Sequence, residues 1–97
     1  MSEISKLKQN YILKKIDRET INIQVRNNEM LMSIVGQFNQ NLNDLETLTS
    51  TKIYFRGNSI TAKGKNEDTI RLSEAIKFLI NKYLLTNLIE KNDIILS

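Results

Sequence analysis

The feature that most constrains the fold is a pair of short alternating segments separated by two residues. Lys52–Arg56 and Ser59–Lys63 each place apolar side chains at every second position, with Gly57-Asn58 between them. Such alternation is typical of strands with one buried face. A two-residue loop that begins with glycine favours a tight turn. The sequence therefore predicts an antiparallel hairpin with one buried side and one side in water.

Other apolar patterns predict one more strand and three helices around this hairpin. Thr20–Arg26 alternates cleanly and predicts a half-buried strand. The predicted fold class is therefore α+β, with the order β-α-α-β-β-α and a three-stranded sheet that carries its helices on one face. The helices are predicted over Glu29–Val35, over a stretch that begins at Asn39 or Asn41, and from Asn66 or Asp68 to about Leu85.

The two ends of the chain carry weaker patterns than its centre. Residues 1–18 are rich in lysine, with apolar side chains at Ile4, Leu7 and Tyr11, and predict either a flexible tail or a weak helix that packs on a partner. Residues 19–86 form the predicted domain. Residues 87–97 end after three large apolar side chains, so we expect a connector toward a further domain of a longer protein.

The composition excludes several classes of function. The chain has no cysteine and no histidine, which excludes disulfides, thiolate metal sites and the commonest general acid and base. Its three glycines are not spaced to cradle a triphosphate. We therefore expect no enzymatic activity, catalytic residue, metal or cofactor in this chain. Its apolar runs are too short to span a bilayer, so we expect a cytoplasmic domain of bacterial type.

The run Ile34–Leu42 joins the first two predicted helices around Gly36. It resembles the I-I-G-x-x-G-x-x-I signature of KH domains, and the predicted order of elements matches the type I arrangement of that fold. A closer resemblance, over about residues 20–90, is to the small N-terminal domain of PhoH-like proteins, the phosphate-starvation-inducible ATPase family. It rests on Gly36-Gln37-Phe38-Asn39, Asn41-Leu42-Asn43-Asp44-Leu45-Glu46, Phe55-Arg56-Gly57-Asn58 and Gly64.

The resemblance implies a KH-like domain that binds single-stranded RNA for a parent P-loop ATPase. ATP and magnesium would then bind only in the ATPase domain, outside this chain. This loop has Asn39 in place of the second glycine, and Gln37 and Phe38 carry no charge, so we expect the loop to bind phosphates weakly. Phe38 either stacks on a base or fills the gap between the helices. The alternative function is docking on the ATPase domain, or formation of a homo-oligomer, without nucleic acid.

The candidate RNA-binding residues combine the loop with one strand of the hairpin. The outward side of that strand has two interpretations: an ordinary solvated face, or a basic surface with one aromatic side chain for nucleic acid or a neighbouring domain. The net charge of +3 permits a polyanionic partner without requiring one. The candidates are Val35, Gly36, Gln37, Phe38, Asn39, Leu42, Lys52, Ile53, Tyr54 and Arg56.

Overall fold

A four-stranded antiparallel sheet carries its helices on one face in the computed structural model, which describes residues 11–96. The strand order is β1-β2-β4-β3. The α+β class predicted from the sequence is confirmed. The strands are β1 (Tyr11–Asp17), β2 (Thr20–Val25), β3 (Lys52–Arg56) and β4 (Ser59–Lys63), and the helices are α1 (Asn28–Val35), a 3-10 helix (Gln37–Asn39), α2 (Gln40–Thr49), α3 (Asn66–Thr86) and α4 (Lys91–Leu96).

The predicted hairpin is present as β3 and β4. Phe55 pairs with Ile60 across the two strands, and Gly57 takes the positive φ of 60° that the tight loop requires. Ile60 is fully buried and Phe55 half-buried, on the side of the sheet that faces the helices. The Val25 N–H donates to the carbonyl oxygen of Asn58 at 3.0 Å, so the turn is also tied to β2.

One apolar core fills the space between the sheet and the helices. Burying a large aliphatic side chain contributes about 1.5–3 kcal/mol, so these contacts dominate the stability of the fold. Asn27 fixes the start of α1, because its side-chain oxygen accepts the Met30 N–H at 3.1 Å. The fully buried side chains include Ile23, Met30, Leu31, Ile34, Leu45, Ile60, Leu72, Ile76, Leu79 and Ile80.

The predicted three-stranded sheet is wrong, because β1 adds a fourth strand beside β2. Leu13 pairs with Ile23, and the pairing continues to Asp17 through one register shift. The segment expected to be a flexible tail or a weak helix therefore contains a strand over residues 11–17. An edge strand buries little of either side, so its apolar residues need not alternate. Residues 1–10 of that expected tail lie outside the described residues.

The segment after α3 folds back onto the domain, although the sequence suggested a connector. Asn87 takes a left-handed conformation, and its N–H donates to the carbonyl oxygen of Tyr83 at 2.6 Å. Helix α4 then packs against α2 and α3 with Ile94 fully buried. The Asp93 carboxylate accepts the Glu90 N–H at 2.9 Å. Burial of Ile94, together with an ion pair of 3.7 Å between Lys82 on α3 and the buried Asp93, docks this short helix.

Candidate functional site

The loop between α1 and α2 has a backbone shape that requires glycine at its first position. Gly36 adopts φ 79° and ψ 170°, a region that residues with a Cβ atom rarely enter. A Cβ at this position would lie 2.7 Å from the Cγ atom of Asn41. Asn41 is held in place because its Nδ2 donates to the carbonyl oxygen of Ser33 at 3.2 Å. The close approach of Gly36 and Asn41 therefore sets the path of the chain into α2.

Phe38 is the most exposed large apolar side chain that the structure describes. Its side chain is 93% exposed, so it does not fill the gap between the helices as one interpretation of the sequence suggested. Phe38 and Asn39 have φ values of 54° and 60°, both left-handed. That conformation costs a residue such as Phe about 1–2 kcal/mol, whereas Asn tolerates it better. The Phe38 ring therefore takes no part in packing the core and is accessible to a partner.

The other predicted residues near the loop divide into exposed and buried ones. Gln37 and Asn39 are exposed beside Phe38. Val35 and Leu42 are buried in the core, where they hold the ends of the loop and are not accessible to a ligand. Asn39 makes no side-chain cap at the start of α2. Backbone N–H groups in the first turn of α2 are therefore not covered by a capping side chain.

Strand β3 forms one edge of the sheet and lies beside α2. The Ile53 N–H points away from β4 and donates to Oε2 of Glu46 on α2 at 2.6 Å. Helix and strand run in opposite directions, because α2 ends at Thr49 and β3 begins at Lys52 after a short turn. The Glu46–Ile53 hydrogen bond therefore fixes β3 against α2, the helix that follows the loop.

The side chains of Lys52, Tyr54 and Arg56 project to the side of the sheet away from the helices. Ile53 and Phe55 alternate with them and turn toward the helix layer. The structure therefore brings three of the predicted residues together on the outer side of the sheet. It places Phe38 in the helix layer, beyond the edge that β3 forms.

Acidic side chains near these surfaces are few, and two of them have assigned contacts. Glu46 caps the edge of β3, a role that its place in a predicted helix did not reveal. Asp17 lies at the β1–β2 turn, where its Oδ1 accepts the Glu19 N–H at 2.8 Å. This hydrogen bond, another from Thr20 and the nearby charge of Lys63 lower the pKa of the Asp17 carboxyl. Asp17 is therefore an anion at neutral pH and offsets part of the Lys63 charge.

Sequence reasoning missed the residues that β1 and β2 contribute to the outer side of the sheet. Lys14 pairs with Asn22, and Asn22 pairs with Thr61, which pairs with Tyr54. These four residues form one row across the sheet. The alternation within Thr20–Arg26 already placed Asn22 outward. Lys14 could be found only by recognising β1 as a strand.

No family model, curated protein or solved structure matches this chain. Between residues 11 and 96, no group of three or more acidic side chains is arranged to hold a metal ion. Within the same range, no helix has the length and apolar character needed to cross a membrane.

Proposed function

We propose that this chain is a KH-like domain that binds single-stranded RNA and belongs to a PhoH-like ATP-binding protein. The observation that carries the proposal is Phe38, a fully presented aromatic ring on a left-handed backbone in the loop after Gly36. The order β-α-α-β-β-α over residues 20–86 supports it, with a strand before that order and a helix after it. The family assignment rests on the sequence motifs around the same loop and hairpin.

The loop offers a stacking contact rather than a charge contact. Gln37, Phe38 and Asn39 carry no charge, so the loop itself contributes no cation to pair with a phosphate. Stacking of a base on an aromatic side chain contributes about 1–3 kcal/mol and tolerates any base. The first turn of α2 has no side-chain cap, but the Gln40 N–H already donates to the carbonyl oxygen of Gln37, so we do not count it as a donor to a phosphate. We therefore infer weak binding with little sequence preference.

Cations for the phosphates would come from β3 rather than from the loop. Lys52 and Arg56 are exposed on β3, the strand that is hydrogen-bonded to α2 through Glu46. Each phosphate contact on a single strand contributes a slope of about −0.7 to the dependence of log affinity on log salt. Binding should therefore weaken with salt, but less steeply than for a strongly basic protein.

An NMR titration of the isotope-labelled chain with short single-stranded RNA tests this proposal. We expect shifts of the backbone signals from Gly36 to Leu42 and along β3, larger at low salt than at moderate salt. Signals of α4, on the other side of α2 from the loop, provide the internal control. The proposal fails for this chain if millimolar RNA leaves the Gly36–Leu42 signals unchanged.

The alternative function, docking on the ATPase domain or on another copy, is favoured by a groove between α2, α3 and α4 that combines apolar side chains with Thr49 and Arg71. Leu48 and Ile95 are 49% and 60% exposed at its rim, and its volume is about 270 Å³. Replacing Leu48 with Lys should lower the sedimentation coefficient of the parent assembly if this groove is an interface. An unchanged coefficient would count against docking through this groove.

A further inference from the structure

We infer that the open face of the sheet is a second contact surface for single-stranded nucleic acid, separate from the loop. This inference rests on the proposed function, which supplies the ligand, and it adds β1, β2 and β4 to the site. We define the open face by the side chains that point away from the helices. They are Ile12, Lys14, Asp17, Thr20, Asn22, Gln24, Lys52, Tyr54, Arg56, Ser59, Thr61 and Lys63, and the exposed Ile16 lies beside Asp17 at the register shift of β1.

The central row of the open face combines a cation, an amide, a hydroxyl and an aromatic ring. Lys14, Asn22, Thr61 and Tyr54 are neighbours across the four strands, over three strand spacings, or about 14 Å. Nδ2 of Asn22 donates to Oγ1 of Thr61 at 2.9 Å, and this bond fixes the orientation of the amide. An amide side chain carries an acceptor oxygen as well as its two donor hydrogens, so Asn22 has the chemistry to hydrogen-bond a base edge.

Tyr54 gives the open face a stacking surface of its own. Its side chain is 50% exposed, and its direct cross-strand neighbour is the small Thr61. A flat ring beside a short side chain leaves room for a base to lie on the sheet. Single-stranded nucleic acids are bound in this way by sheets that carry exposed aromatic side chains.

The charges on the open face favour an anionic partner. Lys52 lies directly opposite Lys63, and like charges in that position destabilise a sheet. Among the described residues, no salt bridge neutralises Lys14, Lys52, Arg56 or Lys63. Asp17 offsets Lys63 only at the rim, near the β1–β2 turn. A bound phosphate backbone would relieve this repulsion.

The polar character of the open face favours nucleic acid over an apolar partner. Its apolar side chains are few: Ile12 and Tyr54, with Ile16 at the register shift of β1. Asp17 is its one acid among the described residues, and the remaining side chains are amides, hydroxyls or cations. Amides and hydroxyls can hydrogen-bond to base edges, the cations can pair with phosphates and the ring can stack on a base face. An acidic protein surface would match only the charges.

The test compares RNA oligomers of two lengths on the full chain, by fluorescence anisotropy and NMR. An oligomer of about four nucleotides can occupy the loop alone, whereas one of about twelve can also cross the sheet. Tyr54→Ala should weaken binding of the longer oligomer at least about fivefold, and by more than it weakens binding of the shorter one. Lys14→Gln should reduce the salt slope of the longer oligomer by about 0.7. Lys77→Gln, which removes the same charge from α3, is the matched control and should change neither quantity.

The outcomes separate this inference from the proposed function. The open-face surface is refuted, and the loop site stands, if the short oligomer shifts the Gly36–Leu42 signals while the long one binds no better and leaves the Lys14 and Asn22 signals unshifted. If neither oligomer binds, both proposals fail. If poly-glutamate binds the open face as tightly as the long RNA, the face is a general anion surface and the assignment to nucleic acid is overturned.

Discussion

Replacing Gly36 with Ala should destabilise this domain more than the same change at Gly57. Both glycines have positive φ, at 79° and 60°, so both substitutions strain the backbone. The two positions differ in the room available for a Cβ atom, because a Cβ at position 57 would have no atom within 4 Å. A Cβ at position 36 would lie 2.7 Å from the Asn41 side chain, which must then move.

The two costs can be estimated separately. Backbone strain at Gly36 contributes about 1–3 kcal/mol to the loss of stability. Displacing Asn41 breaks its hydrogen bond to the Ser33 carbonyl, which contributes about 0.5–1.5 kcal/mol. We therefore expect Gly36→Ala to lower the free energy of unfolding by about 2–4 kcal/mol. Gly57→Ala should cost about 1–2 kcal/mol from backbone strain alone.

Urea unfolding followed by circular dichroism measures these differences directly. Asn41→Ala completes a double-mutant cycle, because Gly36→Ala should cost about 1 kcal/mol less when the Asn41 side chain is already absent. Equal costs at Gly36 and Gly57, together with additive effects of Gly36→Ala and Asn41→Ala, would refute the steric argument.

Three further predictions concern the packing and charges around the site. Ile94→Ala should lower the free energy of unfolding, measured with urea, by about 2–5 kcal/mol because Ile94 is fully buried. Ile95→Ala should leave it nearly unchanged because Ile95 is exposed. Equal losses in the two variants would contradict the docking of α4. Glu46→Ala should lower the free energy of unfolding by about 1 kcal/mol and speed hydrogen exchange at the Ile53 amide, because Glu46 accepts that N–H. Glu46→Gln should restore much of the protection from exchange, since its side chain keeps an acceptor oxygen. Unchanged exchange in Glu46→Ala would contradict this hydrogen bond. The lowered pKa of Asp17 means that its carboxylate stabilises the folded chain above the pKa of the unfolded state, and that this stability is lost as pH falls through the pKa of the folded state. Asp17→Asn should therefore make the free energy of unfolding depend less steeply on pH in the acid range. The same pH dependence in both proteins would contradict this prediction.

Sequence patterns predicted those elements in which the spacing of apolar residues matches the side that is buried in the structure. β2, β3 and β4 each bury alternate residues, and the loop chemistry of Gly57-Asn58 fixes the register of the hairpin. β1 was missed because its side chains are mostly exposed, so pairing with β2 determines its structure rather than its own pattern. The helix α4 is not predictable from its own pattern, because one buried side chain, Ile94, makes no recognisable period.

The candidate site could be located from the sequence, but its geometry could not. The run around Gly36 marked the loop, and the structure explains the need for glycine through Asn41, five residues away. The exposure of Phe38 was not predictable, because an apolar residue between two helices fits a core equally well. The cap that Glu46 places on Ile53 depends on how α2 and β3 lie side by side, which no local pattern encodes.

The affinity of the Phe38→Asn variant for short single-stranded RNA is the most direct test of the proposed role of the loop. Asn tolerates the left-handed backbone, so the loop keeps its shape and stability should rise by up to about 1 kcal/mol. Because the stacking ring is lost, we expect affinity to fall about 5- to 150-fold. Unchanged affinity in a variant that remains folded would contradict base stacking on Phe38.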